Sequence, residues 1–287
     1  MNERTAARGQ LVIVATPIGN LGDLSSRALG LLVSADAVYC EDTRHSRTLF
    51  SAHGLTPRHR LMSLHEHNEM AISVEVIERV ARGELVVLIS DAGTPGISDP
   101  GAKVVAEVVN AGLDVSTAPG PSAVIAALSV SGLPTERFVM EGFLGRKVGE
   151  RARVYATWNR EPRTIVFYES PQRVATTVTE LAALFPDRRV AIARELTKLH
   201  EEVVRGTLSE VAALLDSREM MGEIVVVLEG APASAPVGEA AVAIALRERL
   251  AQGATVRDAV GEVVQELGVS RRETYALALS LRASEYP

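Results

Sequence analysis

The stretch Leu11-Val-Ile-Val-Ala15, followed at once by Thr16-Pro-Ile-Gly-Asn20, decides the fold class. A short β-branched run that ends in a turn containing Pro and Gly is typical of a buried strand in a parallel sheet. Helical spacing over residues 24–34 and a second apolar run over residues 37–40 come next. This part of the chain therefore predicts a β-α-β unit.

The same alternation continues through most of the chain. Further strands are predicted at residues 85–89, 114–117, 163–168, 189–193 and 223–229, and helices at residues 72–82, 102–110, 122–131, 171–185 and 208–217. Up to residue 121 this alternation predicts a doubly wound sheet, and after the Gly132-Leu-Pro134 break the second series predicts a second α/β domain. The segment after Gly230 has a different composition, because it begins Ala231-Pro-Ala-Ser-Ala-Pro236 and then becomes entirely helical in pattern.

Five segments follow from this pattern. They are a flexible N-terminus (residues 1–10), an N-terminal α/β domain (11–130), a C-terminal α/β domain (131–230), a linker (231–238) and a helical tail (239–287). In the tail, Gly268 is a helix stop and Ser270 a cap for the final helix.

Composition narrows the class of protein. The 287 residues are 47% hydrophobic and 23% charged, which excludes disordered and fibrous chains. Apolar runs such as residues 123–128 are far below the roughly 18 residues that span a membrane. The short apolar runs thus predict no membrane partner. The single cysteine, Cys40, cannot form an internal disulfide, so we expect a cytoplasmic protein.

Charge bears on possible nucleic-acid partners. The net charge is −6, so a nucleic acid would have to be held by a local basic patch. Residues 137–163 form such a patch, with basic side chains exceeding acidic ones. The alternative is a solvated helix over residues 147–160 with Trp158 in the core.

Three loops follow strands of the first predicted domain. They are residues 16–22, 90–101 and 118–122, each containing Gly and Pro. Open α/β sheets bind ligands at the carboxyl ends of their strands, so these loops form a candidate site. The first loop lacks the G-x-G-x-x-G spacing, which disfavours a nicotinamide or flavin cofactor. Taken alone, the first loop is also compatible with a tight strand-to-helix turn, and Asp91 and Asp99 in the second are compatible with helix or turn caps.

His65-Glu-His67 is a possible metal-binding pair, because alternate residues of a strand share a face. No third ligand lies at local spacing, so we predict no metal and interpret the pair as solvated or substrate-facing.

A series of motifs resembles the tetrapyrrole methylase-like superfamily in order and spacing over residues 11–230. The motifs are Thr16-Pro-Ile-Gly-Asn-Leu21, Glu41-Asp-Thr-Arg-His45, Ser90-Asp-Ala-Gly-Thr-Pro95 with Asp99-Pro-Gly101, Pro119-Gly-Pro121, Glu141-Gly-Phe143, Phe167-Tyr-Glu-Ser170 and Ala193-Arg-Glu-Leu-Thr-Lys198. More narrowly, the chain resembles the bacterial 16S ribosomal RNA cytidine 2′-O-methyltransferases. That resemblance implies two α/β/α domains with a cofactor cleft between them and a helix-turn-helix-like extension.

The resemblance also implies the ligand, S-adenosylmethionine, and the residues that hold it. Pro17 and Gly19 would line the floor of the cleft, Asp91, Gly93 and Thr94 would approach the amino-acid part, Ser122 and Ala123 would lie beside the methionine or ribose, and Tyr168, Leu196, Gly222 and Glu223 would close over the adenosine. An apolar slot and the lack of basic residues in these loops suit an adenosine with a sulfonium cation.

The implied reaction is 2′-O-methylation of a cytidine ribose in the decoding region of 16S rRNA, on the small ribosomal subunit and by a homodimer. The donor methyl is already activated, so no metal is needed, but a proton acceptor near the hydroxyl would help. The catalytic candidates are Glu41, Asp42 and Lys198, with His45 and Glu195 also within the matching motifs. Lys198 would act as a base only with a lowered pKa and otherwise holds a phosphate, whereas the two acids could equally be an exposed strand end.

For RNA contact, the candidates are basic side chains at two places: Arg44 and Arg47, and Arg146, Lys147 and Arg151. Trp158 or Phe143 could stack an extruded base. Two other functions stay open: a methyltransferase of the same fold acting on a tetrapyrrole or corrin, and a non-catalytic RNA-binding factor in ribosome assembly.

Overall fold

The protein is described by a computed structural model that covers residues 9–57, 60–232 and 239–285. The chain divides into one compact unit that ends at Ala231 and a second that begins at Pro232. Most of the predicted N-terminal segment and linker, residues 1–8 and 233–238, lies outside the described residues.

The first sheet of the larger unit is parallel, with strand order β3-β2-β4-β1-β5. Its strands are β1 (Gln10–Val14), β2 (Ala37–Cys40), β3 (Met62–Ser63), β4 (Leu85–Leu88) and β5 (Asp114–Ala118), and its helices are α1 (Ser26–Ser34), α2 (Thr43–Ala52), α3 (Glu69–Ala81), α4 (Ala102–Asn110) and α5 (Ala123–Ser131). The strand β1 is buried on both faces, as its unbroken apolar run predicts. Leu11 packs with Val104 of α4 on one face, and Val12 packs with Leu32 of α1 on the other.

The second sheet is mixed, with strand order β6-β7-β10-β8-β9. Its strands are β6 (Phe138–Phe143), β7 (Thr164–Glu169), β8 (Arg189–Arg194), β9 (Glu202–Thr207) and β10 (Ile224–Leu228), and its helices are α6 (Val148–Trp158), α7 (Val174–Leu184) and α8 (Leu208–Asp216). Only β6 and β7 run parallel, while the other neighbouring pairs are antiparallel. The start of β10 therefore lies at the same edge of the sheet as the end of β7.

Helix α5 joins the two halves of this unit. Its side chains Val124, Ala127 and Leu128 are buried against Val166 and Val225 of the second sheet. The opposite face of that sheet packs on α6, α7 and α8. The carboxyl edge of the first sheet is thereby held beside the edge of the second, and the predicted fold class, two α/β halves with a helical extension, is confirmed.

The smaller unit consists of α9 (Glu239–Ala251), α10 (Val256–Leu267) and α11 (Arg271–Glu285). Leu246, Val260 and Ala278 lie in its core. The left-handed Gly268 ends α10, as predicted for a helix stop. Within the described part of the chain, no helix combines the length and apolar character required to cross a membrane.

Candidate functional site

Hydrogen bonds tie the three predicted loops together. The Thr16 N–H donates to the Gly93 carbonyl at 2.8 Å, and the Gly93 N–H donates to the Thr16 carbonyl at 3.0 Å. The Thr94 hydroxyl donates to the carbonyl of Pro121 at 3.1 Å, which connects the second loop to the third. Because these bonds join segments far apart in sequence, the loops form one preorganised edge.

A cavity of about 370 Å³ lies between this edge and the second sheet, and we call it the inter-sheet cavity. Its walls include seven of the predicted cofactor residues: Gly93, Thr94, Ser122, Ala123, Tyr168, Gly222 and Glu223. Residues not predicted for the cofactor also line it, among them Ile97, Ser98, Asp99 and Phe143. The structure thus brings the two halves of the predicted cofactor site together.

A second cavity, of about 480 Å³, adjoins the first, and we call it the edge cavity. It contains the remaining predicted loop residues Pro17, Gly19 and Asp91, together with His45 and Lys198. The two cavities share Ile18, Ala92 and Glu223. Leu196 lines neither cavity and instead packs in the apolar cluster behind them.

The acidic end of β2 is bound to the loop that follows β4. The Asp42 N–H donates to Asp91 Oδ1 at 3.1 Å, and the Asp91 N–H donates to the Glu41 carboxylate. Burial, and then the charge of Asp91, raise the pKa of Glu41. Glu41 is therefore a carboxylate with increased proton affinity, and it lies next to Asp91, which lines the edge cavity.

Asp42 has a different environment from Glu41. Its carboxylate caps α2 by accepting a hydrogen bond from the Arg44 N–H at 2.7 Å, and it forms an ion pair with the Arg44 side chain. These hydrogen bonds to Arg44 hold the pKa of Asp42 well below its usual value. The carboxylate is thus a weak proton acceptor that fixes the start of α2, which carries His45 into the edge cavity.

Asp99 is the acid that the sequence-based assignment missed. Burial, and then the nearby Glu41, raise the pKa of Asp99 to about 6, against a hydrogen bond from the Ser90 hydroxyl. The residue before it, Ser98, has a φ of 63°, a conformation that L-residues rarely adopt and that clusters at functional sites. The composition of the 90–101 loop points to Asp99 as a ligand-binding residue, but it is equally compatible with a helix cap. The structure places Gly101, not Asp99, at the N-cap of α4.

The loop after β8 carries the predicted Lys198. Glu195 and Thr197 have φ values of 51° and 69°, so this loop is strained at two positions that are not glycine. The Lys198 ammonium lies 2.8 Å from Glu195 Oε1 and 3.2 Å from Glu223 Oε2. Partial burial opposes its charge, but hydrogen bonds to these two carboxylates outweigh burial and raise the pKa of Lys198. Lys198 is thus a persistent cation.

Glycine at position 222 makes room for this ion pair. Its φ is +86°, and a Cβ there would lie 2.4 Å from the Glu195 carboxyl carbon. A side chain at position 222 would therefore be strained by the backbone conformation and would displace the Glu195 carboxylate, and Gly222 also forms part of the wall of the inter-sheet cavity.

The predicted RNA-contacting residues are exposed, with one exception. Arg44 and Arg47 lie on α2, where the Arg44 side chain is 85% exposed. Arg146 and Lys147 precede α6, where the Lys147 side chain is 84% exposed and lies 3.4 Å from Glu150.

Arg151 corrects the sequence-based assignment, because it is buried. Its guanidinium binds Glu180 at 2.6 Å and also donates to the Arg146 carbonyl, so it has no face open to a phosphate. Trp158 is 1% exposed and packs against Tyr155 and Phe167, which favours the core role over base stacking.

His65 and His67 are both exposed, and their rings lie edge to face with centroids 6.0 Å apart. Among residues 9–57, 60–232 and 239–285, no three His, Cys, Asp or Glu side chains are grouped so that they could hold a metal ion.

Comparison with known proteins identifies the class. Residues 10–212 match the sequence family described as Tetrapyrrole (Corrin/Porphyrin) Methylases. Solved structures share the fold: diphthine synthase (TM-score 0.58, 17% identity, 77% of this chain and 89% of that one) and the cobalamin biosynthetic enzyme cobalt precorrin-4 methyltransferase (TM-score 0.53, 17% identity, 80% and 98%). Because the family match covers most of the chain, this protein belongs to the tetrapyrrole methylase family.

Curated relatives specify the group within that family. Proteins named Ribosomal RNA small subunit methyltransferase I are 41% identical in Synechocystis sp. (96% of this chain, 99% of the relative) and 43% identical in Mycobacterium tuberculosis (96% of each). The relative of the same name in Xylella fastidiosa is 47% identical over 78% of this chain and 82% of its own length. The resemblance found in the sequence motifs is thus confirmed, and the chain is a methyltransferase of this group.

Proposed function

We propose that this protein transfers a methyl group from S-adenosylmethionine to the 2′-hydroxyl of a cytidine ribose in the decoding region of 16S rRNA. The observation that carries the proposal is the pair of adjoining cavities at the junction of the two sheets, in a chain whose full-length relatives are named for small-subunit rRNA methylation. Two adjoining cavities provide places for a donor and an acceptor.

The inter-sheet cavity fits the donor. Its described lining contains no Lys or Arg, and it combines apolar side chains with Tyr168 and the carboxylate of Asp99. Such a wall suits a neutral adenine and a sulfonium cation better than it suits a polyanion. S-adenosylmethionine, when bound, supplies an activated methyl group.

The proposed donor-binding residues belong to both halves of the larger unit. Those in the inter-sheet cavity are Gly93, Thr94, Ser122, Ala123, Tyr168, Gly222 and Glu223. Pro17, Gly19 and Asp91 would reach the donor from the edge cavity, and Leu196 supports the wall from behind.

The edge cavity is the proposed acceptor site. The Lys198 cation faces it, and its raised pKa suits a role in holding a phosphate rather than in accepting a proton. Glu41, whose pKa is raised, is the best proton acceptor among the predicted catalytic residues, and Asp42 acts by positioning α2. Alignment of the hydroxyl with the methyl group supplies the rest of the acceleration.

RNA contact is proposed at the exposed cations of α2, Arg44 and Arg47, and at Arg146 and Lys147 before α6. The resemblance further supports a cytoplasmic homodimer that acts on the small ribosomal subunit.

The test is transfer of a labelled methyl group from S-adenosylmethionine to small ribosomal subunits that lack their own 2′-O-methylation, followed by nuclease mapping. We expect label at the 2′-oxygen of one cytidine of 16S rRNA. Cofactor binding without transfer would instead indicate a small tetrapyrrole or corrin acceptor. Failure to bind S-adenosylmethionine would indicate a non-catalytic assembly factor.

Two variants refine the assignment of the donor site. The Asp91 carboxylate lines the edge cavity and accepts a hydrogen bond from the Asp42 N–H. Asp91→Ala removes this carboxylate, so we expect loss of S-adenosylmethionine binding in calorimetry. Asp216→Asn, at the exposed end of α8, is the matched control and should bind normally. Unchanged calorimetry for Asp91→Ala would remove this residue from the donor site.

A further inference from the structure

The ring of Phe143 stands at the mouth of the inter-sheet cavity. Phe143 is 65% exposed, although it lines the cavity and its ring centroid is 5.1 Å from that of the less exposed Tyr168. One side of the ring thus contacts Tyr168, while much of the rest faces solvent. An exposed aromatic ring that also lines a cavity is available to contact a bound ligand.

The backbone places the ring there. The pairing of β6 with β7 shifts register between Met140 and Phe143, and Gly142 has a φ of +69°. Irregularities of this kind redirect a side chain at the end of a strand. The next residue, Leu144, returns to the core at 5% exposure, so the outward position of Phe143 is local to this one residue.

The charges around Phe143 differ inside and outside the cavity. Inside, the charged side chains of the described lining are all acidic: Asp99, Glu169 and Glu223. Glu169 is neutralised by Arg173 at 2.6 Å and Glu223 by Lys198, whereas Asp99 has no such ion pair among the described residues. Outside, the exposed cations Arg146 and Lys147 follow Phe143 closely in sequence.

This distribution of charge determines which part of an RNA molecule can approach the ring of Phe143. Phosphates are repelled by Asp99, the cavity carboxylate without an ion pair among the described residues, and are attracted to the cations at 146 and 147. A nucleobase is uncharged and has a face that stacks on an aromatic ring. An exposed aromatic ring followed closely in sequence by exposed cations is a combination that single-stranded RNA-binding sites use.

We propose that Phe143 stacks on the base of the acceptor nucleotide, extruded from the RNA, while Arg146 and Lys147 contact its flanking phosphates. This inference rests on the proposed function, since it specifies how the same site holds its RNA. Tyr168 stays behind Phe143 and faces the donor. Phe143 is therefore a positioning residue for the acceptor, and the substrate class is a single-stranded or locally unpaired stretch of RNA.

The experiment compares Phe143→Ala, Phe143→Trp and Val148→Ala as full-length proteins. Val148 is the matched control, because it is 68% exposed, follows the same segment and does not line the inter-sheet cavity. The measurements are kcat/KM for unmethylated small ribosomal subunits, the Kd for S-adenosylmethionine by calorimetry, and the Tm.

We expect Phe143→Ala to lower kcat/KM between about 5- and 150-fold, the range that loss of one base-aromatic stack produces. Its Kd for S-adenosylmethionine and its Tm should stay close to those of the parent protein, and Phe143→Trp should restore most of the activity. Val148→Ala should match the parent protein.

Three results would overturn the inference. If Phe143→Ala weakens S-adenosylmethionine binding as much as it lowers kcat/KM, the ring belongs to the donor site. If Phe143→Ala leaves kcat/KM unchanged, the ring has no role in the reaction. In both cases the parent protein still methylates the subunits, so the proposed function stands. Absence of methyl transfer by the parent protein would refute the proposed function and this inference together.

Discussion

The side-chain stem of Lys198 lies against Gly19, so closely that a Cβ at position 19 would stand 2.4 Å from Lys198 Cγ. Gly19 belongs to the loop after β1 and Lys198 to the loop after β8, so this contact joins the edges of the two sheets. The φ of Gly19 is +151°, which disfavours a side chain independently of the contact. The ammonium at the end of the stem reaches Glu195 and Glu223, so the small size of residue 19 determines where the cation stands.

Gly19→Ala should therefore displace Lys198 and reduce methyl transfer. A misplacement of about 1 Å at a reacting site lowers rates on the order of 10- to 100-fold, and we expect kcat/KM for the RNA to fall within that range. Gly30→Ala is the control, because a Cβ at this position on α1 meets no atom within 4 Å. In a double-mutant cycle, Gly19→Ala should have little further effect in the Lys198→Ala background. Additive losses would show that the two residues act independently.

Asp99 should make folding stability depend on pH. Its pKa is raised from 3.8 to about 6, so between about pH 4 and pH 6 the folded protein still binds a proton that the unfolded chain has released. Stability contributed by this group therefore falls as pH rises through that window. Asp99→Asn removes the effect, so its Tm should rise relative to that of the parent protein from pH 4 to pH 6 and then stay above it. Parallel Tm curves for the two proteins would contradict the raised pKa.

The candidate site was largely predictable where the chain itself carries the signal. Loops rich in Gly and Pro directly follow apolar runs, and parallel strands bring their carboxyl ends to one edge, so Gly93, Thr94 and Ser122 could be placed together. The strands β6 and β9 were not predicted, because their residues are mostly half-buried or exposed and form no unbroken apolar run.

Properties that depend on distant partners could not be predicted from local sequence. The raised pKa of Asp99 depends on burial and on Glu41, which comes from the end of a different strand. The burial of Arg151 depends on Glu180, which is 29 positions further along the chain and on another helix. The excess of basic residues over residues 137–163 is visible in the sequence. Only the packing of α6 on α7 distinguishes a structural arginine from an exposed one.

Arg151→Met should destabilise the protein without a direct effect on RNA affinity. The Arg151 side chain is 8% exposed and bound to Glu180, which also accepts a hydrogen bond from Tyr155. Removing one partner of a buried ion pair leaves the other uncompensated, so we expect a loss of about 3 kcal/mol in the free energy of unfolding. Urea unfolding measures the loss, and Arg153→Met, exposed on the same helix, is the control. Equal stability of the two variants would show that the buried pair contributes nothing.

The paired substitution Arg146→Ala with Lys147→Ala should have the opposite effect, weakening RNA binding while leaving stability and S-adenosylmethionine affinity unchanged. Both side chains are exposed, and the ion pair of Lys147 with Glu150 at 3.4 Å is a surface contact of small value.

Each phosphate contact contributes close to one unit to the slope of log affinity against log salt, so the paired variant should reduce that slope by about 1 to 2. Binding of small ribosomal subunits, measured over a range of salt concentrations, tests this, and Arg153→Ala with Arg160→Ala gives a control of equal charge. If the control lowers the slope equally, the effect is one of overall charge, because only a defined contact at 146 and 147 depends on which cations are removed.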